Sequence, residues 1–149
     1  MASWKTVRYS PESDCAACIE ATDQSGPIQW HDVGADARLY FTVNVAGCLA
    51  IEQGTTGASD CGGSYNAAVQ CSRSSCEKCL ATGGTFTQFS NCQKDVQSQG
   101  VCKSYENAQS EACQGYKDAG SAALDCFPGQ NEQQDAFFER VEGIFCGQP

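Results

Sequence analysis

Cysteine is the residue type in this chain with the widest range of chemistry. The 149 residues include twelve cysteines, about 8% of the chain. Cysteine thiolates bind zinc, copper(I) and iron–sulfur clusters, and they act as nucleophiles when their pKa is lowered. Paired cysteines instead form disulfides, which persist in oxidising compartments such as the extracellular space. The spacing of the cysteines, and the elements that carry them, discriminate among these roles.

Three cysteines lie close together, with four residues between Cys71 and Cys76 and two between Cys76 and Cys79. This spacing resembles the three-cysteine loop of plant-type [2Fe–2S] ferredoxins. The resemblance covers nine residues and implies an iron–sulfur cluster whose fourth ligand comes from farther along the chain. Cys102 and Cys113 are the nearest candidates, although both lie in segments with a helical pattern and the family has a strand-rich fold. Disulfides are the alternative for all five cysteines, and they are the interpretation we favour.

Two Cys-x2-Cys pairs, Cys15/Cys18 and Cys76/Cys79, form a second arrangement of ligands. Together they could supply four thiolates to a tetrahedral zinc site, but 57 residues separate the two pairs. Cys15-Ala-Ala-Cys18 also has the spacing of a redox-active pair, although the βαβ context of thioredoxin-like proteins is missing. We expect each of these cysteines to form a disulfide with a cysteine elsewhere in the chain.

His31 is the single histidine, and it is followed by Asp32. Histidine is the side chain whose ordinary pKa lies near neutral pH, so it is the first candidate for acid–base catalysis. The His-Asp pair is similar in one respect to secreted phospholipases A2, which are also helical and rich in disulfides. That resemblance implies a small hydrolase that uses His31, but the calcium loop and flanking cysteines of the family are absent. We expect His31 to lie in an exposed loop, and we predict no catalytic, cofactor-binding or metal-ligating residues.

The apolar composition explains why crosslinks matter. Leu, Ile, Val and Phe total 23 residues, about 15% of the chain, which is few for a core in a domain of this length. A disulfide typically adds about 2–4 kcal/mol to the free energy of unfolding, largely by restricting the unfolded chain. Twelve cysteines therefore predict up to six disulfides in a secreted, extracellular or periplasmic protein. Met1 is not followed by an apolar leader, so we expect a mature form whose export signal has been removed.

Charge and hydropathy exclude two kinds of partner. The net charge is −9, and no cluster of Lys and Arg is present to neutralise phosphates, so a nucleic-acid partner is not expected. No stretch approaches the roughly 20 apolar residues that a membrane-spanning helix needs. The expected partner is an unidentified extracellular protein or surface, and no cofactor is expected.

The cysteines also repeat. Gaps of 12 and 9 residues separate Cys48, Cys61 and Cys71, and the same gaps recur 31 residues later among Cys79, Cys92 and Cys102. Leu and Ala follow the first cysteine of both triplets. This pattern predicts a partial internal duplication of a helical hairpin.

The predicted fold is all-α, or α-dominated with a short N-terminal β or irregular segment, in one cysteine-rich domain over residues 1–149. Residues 1–35 are expected to be irregular, with a short strand over 4–9, a short helix begun by Ser13 and a loop over 23–34. Residues 36–149 are expected to form a helical array. Residues 36–53 fit both an alternating strand pattern and a helical stripe, and the repeat favours helix.

Local signals delimit the later helices. We predict a helix from Ser64 to the glycines at 83–84, one from the capping box of Thr85 and Gln88 to Gly100, and one over 102–119. After a turn at Pro128-Gly129, a last helix capped by Asn131 is expected. Its acidic residues are predicted to form a solvated face: Glu132, Asp135, Glu139 and Glu142.

The last helix carries a dense apolar face that includes Phe137, Phe138 and Val141. We expect this face to fill the core. The alternative is that Phe137 or Phe138 projects outward and supports self-association. The sequence thus predicts a secreted binding or structural domain without catalytic activity. Its alternatives are a cysteine-ligated metalloprotein and, third, a small hydrolase.

Overall fold

The computed structural model describes residues 26–33, 38–81, 84–116, 118 and 120–146, and it leaves aside the side chains of 30–33, 38–41, 79–81 and 86. The described chain is dominated by helices and crosslinked by disulfides, as predicted. Two strands come first, followed by five α-helices: β1 (Ile28–Val33), β2 (Arg38–Val43), α1 (Val45–Gln53), α2 (Cys61–Ala81), α3 (Phe86–Ser98), α4 (Lys103–Ala112) and α5 (Gln134–Cys146). Short 3₁₀ helices lie at Gln114–Tyr116 and Ala122–Cys126.

The N-terminal part of the described chain is a β-hairpin, which corrects two predictions. β1 pairs antiparallel with β2, with Ile28 opposite Val43. Residues 28–33 therefore form a strand where a loop was predicted, and 38–43 form a strand where a helix was predicted. Apolar residues alternate with polar ones along 39–43, which is the pattern of a strand. This pattern agrees with the observed structure because β1 is available as a partner strand. Of the described residues in the predicted helix over 36–53, those from 45 to 53 are helical.

Asn44 joins the hairpin to α1. The Asn44 side-chain oxygen accepts a hydrogen bond from the Gly47 backbone N–H at 2.9 Å, which caps the helix. The Asn44 side-chain nitrogen donates to the Gly26 carbonyl at 2.9 Å, and its backbone N–H donates to the Pro27 carbonyl at 2.8 Å. Because one buried side chain bonds both to the start of α1 and to the segment just before β1, α1 has a defined direction relative to the hairpin.

The 21-residue helix α2 contacts α1, α3 and α4. It begins at Cys61, three residues before the predicted Ser64 cap, and it ends at Ala81, close to the predicted glycines. Close approach to α1 requires Gly62, because a Cβ there would lie 2.6 Å from the Ala46 carbonyl oxygen.

Three disulfides attach helices to α2. Cys61–Cys113 and Cys71–Cys102 bind the two ends of α4 to α2, so these two helices run antiparallel. Cys76–Cys92 binds the middle of α3 to α2. The helices α2, α3 and α4 therefore form one crosslinked unit. A fourth disulfide, Cys48–Cys126, joins α1 to a 3₁₀ helix.

Disulfides also fill the interior. One buried cluster surrounds Cys48–Cys126 and Cys61–Cys113, and its apolar members include Leu49, Phe137 and Val141. A second cluster surrounds the other two disulfides and includes Phe89 and Val96. Cystine sulfur thus occupies interior volume that Leu, Ile and Val would fill in a less cysteine-rich domain.

The later helices follow most of their local signals. The Thr85–Gln88 capping box is present in both directions, and Gly100 after α3 has a left-handed φ of 68°. The helix predicted over 102–119 is shorter, because α4 ends at Ala112 and a 3₁₀ turn follows. The Asn131 cap is wrong: Asn131 lies in a turn with φ of 66°, and α5 begins at Gln134.

The acidic residues of the last helix do not form one solvated face. Asp135 and Glu139 are exposed, but Glu142 is only 9% exposed. Burial, together with the charge of Glu139, raises the pKa of the Glu142 carboxyl. Before the helix, Glu132 bonds to Arg140 and to the Gly129 backbone N–H, and these bonds lower the pKa of Glu132. The carboxyls of Glu132 and Glu142 therefore have pKa values shifted in opposite directions.

The repeated cysteines occupy different places in their helices. Cys48 lies inside α1, whereas its counterpart Cys79 lies in the last turn of α2. Cys61 begins α2, whereas its counterpart Cys92 lies in the middle of α3. The described fold does not show a duplicated hairpin, so internal duplication stays a prediction from the sequence.

Candidate ligand-binding groove

Four of the cysteines considered as alternative metal ligands form disulfides instead. Cys71 is bonded to Cys102 and Cys76 to Cys92, while the remaining candidate, Cys113, is bonded to Cys61. A sulfur in a disulfide is not a thiolate ligand, so neither the ferredoxin-like cluster nor a zinc site that uses Cys76 can form.

The other cysteines of the alternative zinc site cannot be placed in the same way. Cys15 and Cys18 lie outside the described residues, as does the side chain of Cys79. In the part of the chain that is described, no group of three or more His, Cys, Asp or Glu side chains is positioned to hold a metal ion.

His31 lies in β1, opposite Tyr40, so its predicted position in a loop is wrong. Its side chain is outside the description, and a hydrolase that uses it stays a prediction. Phe137 and Phe138 are each 8% exposed, and Phe137 belongs to the first buried cluster. Their burial agrees with the core-filling interpretation, and self-association through them stays a prediction.

Two clefts lie side by side along α2. The first has a volume of about 270 Å³ and lies where the end of β2 and the start of α1 meet α2 and α3. The second, of about 400 Å³, lies between α2, α3 and α4. The clefts share three lining residues, and we call the combined depression the α2 groove. Its shared centre consists of Tyr65, Val69 and Gln93.

Helical periodicity brings the lining residues together. On α2, positions 65, 69, 72 and 73 are separated by one or two turns and lie on one face. On α3, positions 90, 93, 94 and 97 form the facing row. Each cleft is lined by neutral hydrogen-bonding side chains. The first has Thr42, Asn66, Gln70 and Gln93, and the second has Ser72, Ser90, Gln93, Gln97 and Gln109.

The charges in the groove oppose the charge of the whole chain. The first cleft is lined by Arg73, and no carboxylate is among its described lining residues. The second cleft is lined by Lys94 and Glu106, and Glu106 forms an ion pair with Lys103 at 3.7 Å. The α2 groove therefore offers positive charge in a protein whose net charge is −9.

Tyr65 links the groove to the core. Its ring meets Phe127 edge to face, with 5.9 Å between ring centroids, and it packs against the first buried cluster. Burial raises the pKa of Tyr65, so its hydroxyl stays neutral and can both donate and accept a hydrogen bond. An aromatic ring held in this way is a rigid part of the lining.

The arrangement suits binding. Amide and hydroxyl side chains both donate and accept hydrogen bonds, and they orient a polar ligand without reacting with it. The described lining residues include no histidine and no thiol. Sequence reasoning missed the groove because Thr42, Arg73 and Gln93 come from three separate elements. The available signal was the row of Gln, Asn and Ser residues on α2 and α3, which resembles any solvated helix face.

Across the described helices, none combines the length and apolar content needed to cross a bilayer. No protein-family model, curated protein or solved structure matches this chain. The function of the groove therefore has to be inferred from the chemistry of its own residues.

Proposed function

We propose that this protein is a secreted, disulfide-rich binding domain that holds its ligand in the α2 groove. The observation that carries the proposal is the groove itself, whose walls are faces of α2 and α3 lined by neutral hydrogen-bonding side chains. Those walls belong to the crosslinked unit of α2, α3 and α4. Crosslinked walls lose little conformational freedom when a ligand binds, which favours affinity.

The disulfides support an extracellular location. Four bridges occur in the described chain, and two of them lie inside each buried cluster. Reduction would remove the crosslinks and disturb both clusters together. A protein that depends on disulfides in this way is suited to an oxidising compartment, where glutathione and thioredoxin do not keep thiols reduced.

Binding to isotopically labelled protein tests the proposal. We would titrate it with neutral oligosaccharides, acidic oligosaccharides and short peptides, and follow the backbone amide signals by NMR. A ligand that binds is expected to shift signals of residues along α2 and α3, and to be recovered chemically unchanged.

Substitution at the centre of the groove gives the decisive comparison. Val69, which is 41% exposed, lies where the two clefts meet, so Val69→Trp should fill the groove and abolish binding while the fold is retained. Val101→Trp is the matched control, because Val101 is 58% exposed and lies outside the groove. Equal affinity in both variants, or conversion of the ligand to a product, would contradict the proposal.

A further inference from the structure

We infer that the ligand of the α2 groove is an acidic oligosaccharide, a chain of sugars that carry carboxylates. The inference rests on the proposed function and adds the chemical class of the ligand. Its starting point is the location of two basic residues, because Arg73 lines the first cleft and Lys94 lines the second. Positive charge in adjoining clefts is complementary to a ligand that repeats its negative charge along its length.

Other basic side chains are already engaged. Arg140 bonds to Glu132, to Asp125 and to the Phe127 carbonyl, and its guanidinium lies 5.3 Å from the centroid of the Phe137 ring. Lys103 forms the ion pair with Glu106. In the described chain, Arg73 and Lys94 form no ion pair with another residue. Both are therefore available to a ligand carboxylate, which the guanidinium of Arg73 can bind through two parallel hydrogen bonds.

The neutral lining distinguishes a sugar from other anions. A hydroxyl group donates and accepts a hydrogen bond, and so do the Gln, Asn and Ser side chains that line the groove. A peptide is usually anchored by apolar pockets for its side chains. Here Phe89 is 2% exposed and closed to a ligand, and Val43, Val45 and Tyr65 are partly buried against the core. Val69 is the one described lining residue among the exposed large apolar side chains. The lining thus favours a polyhydroxylated chain over a peptide.

The acidic character of the whole protein does not prevent this binding. Charges on the protein surface are screened over a Debye length of about 8 Å at physiological ionic strength. A carboxylate inside the groove therefore interacts mainly with Arg73 or Lys94, while the Glu106 carboxylate of the second cleft is paired with Lys103. The interaction of the ligand carboxylate with the more distant acidic residues that contribute to the net charge of −9 is weak.

Calorimetric titration with a matched pair of ligands tests the inference. One ligand is a short oligogalacturonate, and the other is the same oligomer with each carboxylate reduced to a hydroxymethyl group. The acidic oligomer should bind about tenfold more tightly or better, because charged hydrogen bonds to carboxylates are the strong ones. Arg73→Gln and Lys94→Gln should each weaken binding of the acidic oligomer and leave that of the reduced oligomer unchanged. Lys78→Gln is the matched loss of charge outside the groove and should change neither affinity.

Three results would overturn the inference. Equal affinity for both oligomers, unchanged by Arg73→Gln, would show that carboxylates are not recognised, while the proposed binding function would stand. Binding of an acidic peptide but of neither oligomer would replace the ligand class and keep the groove. Full affinity for the acidic oligomer in Val69→Trp would instead remove the groove, and the proposed function with it.

Discussion

Glu142 shows how one side chain departs from its sequence pattern. Its spacing on α5 predicts a solvated position, yet the residue is 9% exposed and its pKa is raised by burial. The unfolded chain has the ordinary value near 4.5, so the unfolded state loses this proton first as the pH rises. The contribution of this carboxyl to the free energy of unfolding is fully present below pH 4.5. It is lost as the pH rises through the higher pKa of the folded state.

The substitution Glu142→Gln should therefore stabilise the protein at neutral pH. The amide has no charge to bury, so urea denaturation at about pH 7 should give a higher free energy of unfolding than in wild type. The advantage should shrink toward about pH 3.5, where the carboxyl is protonated in both states.

Glu132→Gln provides the contrast, because bonds to Arg140 and Gly129 lower the pKa of Glu132. Its carboxylate stabilises the folded state above pH 4.5, and this contribution is lost as the pH falls. Glu132→Gln should thus be less stable than wild type at neutral pH. The same pH dependence in both variants would contradict these assignments.

At the scale of elements, α2 and α4 are held together mainly by their crosslinks. Buried residues are absent from the described part of α4 between its two terminal cysteines, so apolar packing contributes little to its position. Cys71–Cys102 holds the start of α4, and Cys61–Cys113 holds its end.

The double substitution of Cys71 and Cys102 by Ala should lower the free energy of unfolding by about 2–4 kcal/mol. It should also increase hydrogen exchange at the start of α4 far more than in α1, which keeps its own bridge to Cys126. Exchange followed by NMR measures both helices in one sample. An unchanged exchange rate in α4, or an equal increase in α1, would show that the bridge does not position this helix.

The elements that could be predicted are those whose signals are local. The capping box at Thr85 and Gln88 and the glycine at 100 act within a few residues, and each was located correctly. The hairpin was missed because the strand over 38–43 depends on its pairing with 28–33, and single-sequence periodicity does not show a partner. The cap at Asn131 failed because Asn also tolerates a left-handed φ, and here it adopts one in a turn before the helix.

At the scale of the whole molecule, the cysteine content and the low aliphatic content predicted the general design, and the disulfide pairs confirm that cysteines crosslink helices. The disulfide pairing could not be predicted from the sequence, because twelve cysteines allow very many combinations. The α2 groove could not be predicted either, because the helices that line it are brought together by those disulfides. The function we propose therefore depends on the pairing being the one described.

Mapping of the disulfides by mass spectrometry tests this most directly. Cys48, Cys61 and Cys71 lie in one tryptic peptide, because no Lys or Arg occurs between Arg38 and Arg73. Additional cleavage after Glu52 and Tyr65 separates them. Alkylation of the native protein should add no label, whereas alkylation after reduction should label all twelve cysteines.

The unreduced digest should contain four linked peptide pairs from the described bridges: Cys48–Cys126, Cys61–Cys113, Cys71–Cys102 and Cys76–Cys92. Finding these pairs would confirm the crosslinked unit of α2, α3 and α4 whose faces form the groove. Recovery of Cys71 or Cys76 as a free thiol, or linked to any other cysteine, would contradict the account.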